Sequence, residues 1–268
     1  DAGGVAVRLT IVGSAGSVAG PDAAASCYLL EADAAGRTWR LVLDLGSGAI
    51  GPLQRYCNPS QVDGVLISHG HPDHSADLAA LSVLRRYGPD CDAGLPRLNL
   101  FGPRGIDRRI LEVAGETGPD ASYDDLSPFD FTALQGGARI SLGPFDIAVA
   151  GAYHPVPALA YRIEGPGEGG GRTSLVFTGD TDRCDEVDLL AQGCDLLLGE
   201  AGWAHRLENP PGIHMNGDQL GGLAAASGVK QLVVTHIASW VAPDDTMAQV
   251  HAHYPGAVLA QPGQVHGV

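Results

Sequence analysis

Apolar residues come in short runs along the chain, and each run stops on a polar or small residue. Positions 62–67 read as a buried strand. After a polar stretch, Leu78, Leu81 and Leu84 recur at helical spacing, which predicts a helix over 76–87. The rhythm continues on both sides. Strands are expected at 5–12, at 26–32 and 39–43 around the Ala34-Ala35-Gly36 turn, and at 97–101, 139–142, 145–150, 161–163, 174–177, 194–198 and 231–234. Helices are expected at 106–114 and 219–226. The Gly-rich stretch 165–171 reads as a hairpin loop, and the acidic, turn-rich 119–127 as a surface loop. Strands alternating with helices predict a layered α/β fold. No short-period repeat or linker divides the chain, so 1–268 reads as one domain.

The polar residues that end the apolar runs gather the candidate chemistry: Asp44, 69–74, His154, Asp180, Glu200 and His236. Active sites of layered α/β folds collect at strand ends, where a rigid sheet positions loop residues. The densest stretch is Ser68-His69-Gly70-His71-Pro72-Asp73-His74. His69 and His71 are two apart, so in extended chain they point the same way and can grip one ion. Asp73 and His74 follow a turn at Pro72 and can serve a second ion. Gly70 is expected to remove a side chain where backbone passes close to metal. With His154, Asp180 and His236 the candidate ligands number seven. That exceeds one tetrahedral ion and suits two. The natural partition is His69, His71 and His154 on one ion and Asp73, His74 and His236 on the other, with Asp180 bridging. Imidazole with carboxylate favours Zn²⁺, while Mn²⁺ or Fe also suit the donors. The chemistry expected is hydrolysis by a hydroxide shared between two ions. Asp44 reads either as a turn residue or as an acceptor that orients a ligating histidine. The small-residue loop Gly13-Ser14-Ala15-Gly16-Ser17 reads as a tight turn or, less directly, as a phosphate cradle.

Composition narrows the substrate. A net charge of −15 argues against a protein that tracks along nucleic acid, but not against a small anion held by metal. Five scattered cysteines without a C-x-x-C pair fit free thiols in a reducing, cytoplasmic setting. No apolar run is long enough to span a membrane, and no signal-peptide pattern is present. The chain begins at Asp1 rather than Met, which leaves a trimmed leader open. The partners expected are a small anionic ligand and, as an open option, a second copy of the chain, with no long nucleic acid and no membrane.

His69-x-His71-x-Asp73-His74, His154, Gly179-Asp180-Thr181 and Thr235-His236-Ile237 resemble the metallo-β-lactamase superfamily. The resemblance implies a four-layer αββα sandwich with two metals at one edge of the sheets. Val12-Gly13-Ser14-Ala15-Gly16, Leu198-Gly199-Glu200-Ala201 and His214-Met215-Asn216 are similar to the ribonuclease Z-like branch. Gly20-Pro21-Asp22 and Arg85-Arg86-Tyr87 resemble actinobacterial cyclic-nucleotide phosphodiesterases of this fold. True β-lactamases use a cysteine ligand and lack the bridging aspartate. Ribonuclease Z carries a long tRNA-gripping arm between the ligands that match His154 and Asp180, which here are only 26 positions apart. The resemblance makes His214 a phosphate-contacting residue that can protonate the leaving oxygen, with Glu200 holding it or a ligand. Asp73, His214 and Glu200 are the candidate catalytic residues. Trp203 and Trp240 are expected to stack on a base or simply to pack. His205, His251, His253 and His266 match no motif and read as surface residues. The function expected is hydrolysis of a small phosphodiester, above all a 3′,5′-cyclic nucleotide such as cAMP. Lactonase or thioesterase activity, ribonuclease Z-like tRNA processing and a non-catalytic metal-bound scaffold are the alternatives.

Overall fold

Strand-forming runs in this chain carry apolar side chains on both faces, so they can be buried only between layers. The computed structural model describes residues 6–116, 118, 126–203 and 209–268 and shows how this is met. One sheet has seven strands in the spatial order Val265–Gly267, Arg8–Gly13, Cys27–Ala34, Arg37–Leu43, Gly64–Leu66, Leu98–Pro103 and Phe129–Leu134. The other runs Val258–Leu259, Gln231–Thr235, Leu196–Glu200, Arg172–Phe177, Leu159–Pro166, Phe145–Gly151 and Arg139–Leu142. Alternate residues of each strand serve different layers. Leu175, Phe177, Leu196 and Leu198 join Leu9, Ile11, Tyr28 and Leu43 in the core between the sheets. Val176 and Leu197 point outward and meet Val187, Leu220, Leu223 and Val250 on helices Asp185–Ala191, Gly217–Ser227 and Pro243–His253. On the other outer face Val42, Val65 and Leu100 meet Leu78, Leu81, Ile106 and Ile110 on helices Leu78–Tyr87 and Ile106–Ala114. The layers are therefore α, β, β, α, as the resemblance implies. No helix among the described residues is long and apolar enough to cross a membrane.

Parallel pairing sends strand ends to one edge. Arg37–Leu43, Gly64–Leu66 and Leu98–Pro103 run parallel, as do Arg172–Phe177, Leu196–Glu200 and Gln231–Thr235. Their C-terminal ends release Asp44, the 68–74 stretch, Asp180, Glu200 and His236 at one rim. Buried hydroxyls lace the sheets together there. Tyr161 Oη donates to Ile67 O at 2.7 Å, and Tyr28 Oη meets Thr235 Oγ1 at 2.8 Å.

Several elements differ from the sequence reading. The helix expected over 76–87 begins at Leu78 and runs to Tyr87, and a separate helical turn at Pro72–Ser75 precedes it. Helices Asp185–Ala191 and Pro243–His253 and strands Phe129–Leu134, Val258–Leu259 and Val265–Gly267 were not expected. The helices are rich in acidic and other polar residues, and two of the strands have only two or three residues, so neither periodicity stands out. The first strand begins at Arg8, and position 5 lies outside the described residues, as do most of the 119–127 loop and His205.

Candidate metal centre

Five imidazoles and two carboxylates converge at the rim. His69 and His71 leave the strand Gly64–Leu66 in extended chain, and His69 Nε2 comes within 2.9 Å of His71 Nδ1. His154 Nε2 stands 3.2 Å from the same Nδ1. The turn at Pro72 aims Asp73 and His74 at a neighbouring point. There His74 Nε2 faces His236 Nε2 at 3.0 Å, and Asp73 Oδ2 lies 3.2 Å from His236 Nε2 and 3.4 Å from His74 Nε2. Asp180 lies between the groups. Its Oδ2 is 3.6 Å from His69 Nε2, and its Oδ1 is 3.2 Å from His74 Nε2 and 3.3 Å from His236 Nε2. The two sets, His69, His71, His154 and Asp180 against Asp73, His74, His236 and Asp180, coincide with the partition drawn from the sequence.

These residues fit a cation. Nitrogen lone pairs that face each other with no proton between them repel unless a positive charge sits among them. Asp180 Oδ1 is buried and accepts no hydrogen bond despite two imidazoles beside it. Tetrahedral donors about 2.0–2.1 Å from one ion stand roughly 3.3 Å apart, close to the spacings here. The clusters are thus consistent with a divalent metal site. Burial alone would raise the Asp180 carboxyl, but His236, His74 and His69 hold it well below the usual carboxylate range. Burial would likewise raise Asp73, yet hydrogen bonding from His236 and His74 keeps it low. His69 is pushed down by burial and by the neighbouring His74, which keeps it an unprotonated donor.

Surrounding groups fix which nitrogen each ring offers. His74 Nδ1 donates to buried Asp44 Oδ2 at 2.6 Å, leaving Nε2 for the centre. Asp44 also accepts from Ser68 N and Ser68 Oγ, so it orients a ligand rather than only making a turn. Burial raises Asp44, with the His74 charge acting against it. His154 Nδ1 donates to Ile213 O at 2.7 Å, a backbone partner that no sequence signal marks. Asp44 and His236 adopt φ of 55° and 60°, left-handed backbone that side chains rarely take and that sites of function often store.

Glu200 holds the third group. Its carboxylate accepts from Thr181 N at 2.9 Å, Gly202 N at 2.6 Å and His214 Nδ1 at 3.0 Å. His214 thus keeps Nε2 free of Glu200, with its ring 5.3 Å from His236 and 5.5 Å from His154. Burial pushes His214 down, but the Glu200 carboxylate prevails and lifts it to about 9. A Cβ on Gly202 would stand 2.9 Å from His214 Cγ, so glycine is what lets this loop close on the ring. Trp203 packs edge-on to His214 at 5.5 Å, and Trp240 is exposed. The helix after His214 uses its own Asn216 to cap the Gln219 amide.

Two local readings change. A Cβ on Gly70 would meet only Ile106 and Arg109, at 3.9 and 4.0 Å, so crowding at the centre does not require glycine there. The 13–17 loop does more than turn the chain. Ala15–Gly16 pairs with Ile237–Ala238, Ser14 O accepts from His236 N, and a Cβ on Gly16 would lie 2.3 Å from His236 O. The loop buttresses His236. Arg85 bonds Ser60 O and Pro96 O at the opposite ends of the strands, away from the centre. His251 and His253 are exposed on a helix, and His266 lies in an edge strand.

Residues 40–237 match the model of the Beta-lactamase superfamily domain. An uncharacterized protein of Mycobacterium tuberculosis is 38% identical over 257 residues, covering 96% of this chain and 90% of its own. The probable metallo-hydrolase YhfI of Bacillus subtilis is 25% identical over 260 residues, and its crystal structure superposes with a TM-score of 0.78 over 97% of this chain and 98% of that one. Ribonuclease Z of Mycolicibacterium gilvum is 28% identical, covering 88% of this chain and 86% of its own. With the layered fold and the histidine-rich rim, these likenesses assign the chain to the metallo-β-lactamase superfamily as a metal-dependent hydrolase.

Proposed function

We propose that this hydrolase is a dinuclear phosphodiesterase of small substrates, foremost a 3′,5′-cyclic nucleotide such as cAMP, with Zn²⁺ as the resident ion and Mn²⁺ or Fe as alternatives. The observation that carries the reading is His214, held by Glu200 beside both histidine sets yet outside the seven donors. When bound, two ions supply an activated water and a positive clamp for phosphoryl oxygens. The seven donors would hold those ions, with Asp180 common to both sets. Asp73 adds negative charge beside His74 and His236. Glu200 takes His214 Nδ1–H and so aims Nε2 at the substrate side. His214 then donates a hydrogen bond to a phosphoryl oxygen or a proton to the departing alkoxide. The reading of a reducing cytoplasm is supported by five unpaired cysteines.

Small substrate size is favoured by the stretch between His154 and Asp180. It is filled by strands Leu159–Pro166 and Arg172–Phe177 joined by a short turn, which leaves no length for an arm. The net charge of −15 adds repulsion toward a long polyanion. A panel of cyclic nucleotides, a generic phosphodiester, an acyl-lactone and a tRNA precursor tests the proposal. Cyclic nucleotides should be cleaved far faster than the precursor. Efficient tRNA 3′ processing with inert cyclic nucleotides would reverse it, and turnover of the lactone alone would move the site to acyl chemistry.

A further inference from the structure

His71 has two neighbourhoods. Its Nδ1 faces the donors of the centre, and the same residue walls a cavity of about 200 Å³ that also reaches Gly70. Arg104, Arg108 and Arg109 line that cavity, and its one acidic lining residue is Glu112. Glu112 accepts from Arg108 Nε at 3.0 Å and Arg109 Nη1 at 3.1 Å. Arg109 Nε also donates to Gly70 O at 2.9 Å, which ties the arginine wall to the backbone between His69 and His71. Arg104 is exposed and makes no hydrogen bond or ion pair among the described residues. Three guanidinium groups against one carboxylate make this spot cationic in a chain whose net charge is −15.

We infer that this arginine-lined cavity binds a second phosphate of the substrate, carried on the same molecule as the scissile phosphodiester. The inference takes the identity of the scissile group from the phosphodiesterase reading. Guanidinium forks match phosphate oxygens in pairs, and a phosphomonoester carries a charge of about −1.5 to −2 at neutral pH. The cavity is smaller than the roughly 300 Å³ at which pockets begin to hold whole ligands, so it suits one group of a larger molecule. A cyclic nucleotide has one phosphate and leaves the cavity unused. A short linear phosphodiester with a terminal phosphate engages both places, so the substrate range extends to 5′-phosphorylated dinucleotides.

Calorimetry on the Zn²⁺-loaded protein tests this without turnover. Adenosine 3′,5′-bisphosphate should bind about tenfold tighter than adenosine 5′-monophosphate, the scale of hydrogen bonds to charged groups. Arg104→Ala should remove most of that advantage, Arg104→Lys should restore part of it, and Glu112→Gln should increase it. In kinetics, the ratio of kcat/KM for a 5′-phosphorylated diadenylate to that for the same dinucleotide without the 5′ phosphate should fall about tenfold in Arg104→Ala. Equal binding of the two nucleotides, or an advantage indifferent to Arg104, overturns the inference. If neither dinucleotide is cleaved but the bisphosphate advantage persists and depends on Arg104, the phosphodiesterase reading fails and the phosphate subsite stands.

Discussion

At His74, one ring nitrogen faces the centre and the other donates to Asp44. A buried carboxylate behind an imidazole makes it a stronger donor, and loss of such a partner typically costs about 10–100-fold in metal affinity. Asp44→Asn should therefore weaken ion binding by about that factor with the fold retained, as read by competition with a chelator and by circular dichroism. Unchanged affinity would mean that Asp44 only shapes its turn. His214 separates catalysis from metal holding. His214→Ala should keep both ions, yet lose about 10²–10⁴-fold on a cyclic nucleotide, whose alkoxide leaves poorly. On a nitrophenyl phosphodiester, whose leaving group needs no proton, the loss should be much smaller. Equal losses on both would point to charge stabilisation instead of proton donation. Loss of metal would place His214 among the ligands.

The loop and ribbon behind His236 make their own demand at the scale of elements. Gly16 lies against the His236 carbonyl, where even a methyl group would have to displace backbone. Gly16→Ala should cost about 1–3 kcal/mol and weaken binding of the ion served by Asp73, His74 and His236, followed by thermal melting and metal content. Wild-type values in both would show that the contact does not position His236. This buttress was invisible in the sequence because small residues after a strand look alike whether they turn, cradle or pack. The ligand run 69–74 was legible because its donors are local and its spacing matches extended chain followed by a turn. His154, Asp180 and His236 lie far apart in the chain, and the rule that strand ends share a rim is what gathered them. The same rule picked out Glu200, whereas His214 came from family resemblance alone. The carbonyl of Ile213 that orients His154 has no side-chain signature at all. Inner strands were legible because both of their faces are buried. The helices Asp185–Ala191 and Pro243–His253 were not, since the first is only seven residues long and Met247 and Val250 are the only large apolar residues of the second.

For the whole molecule, two buried sheets deliver every proposed ligand to one rim, in a chain whose net charge is −15. Rim, charge and the short hairpin between His154 and Asp180 all favour a small anion over a long one. Two ions sharing Asp180 give all seven converging donors a role, whereas one ion leaves three of them without a purpose. Elemental analysis of protein purified without chelator, alongside Asp180→Ala, measures this directly. The wild type should hold about two divalent ions per chain, and Asp180→Ala should lose affinity at both positions together. A reproducible single ion, unchanged when metal is added and retained by Asp180→Ala, would contradict the two-ion centre.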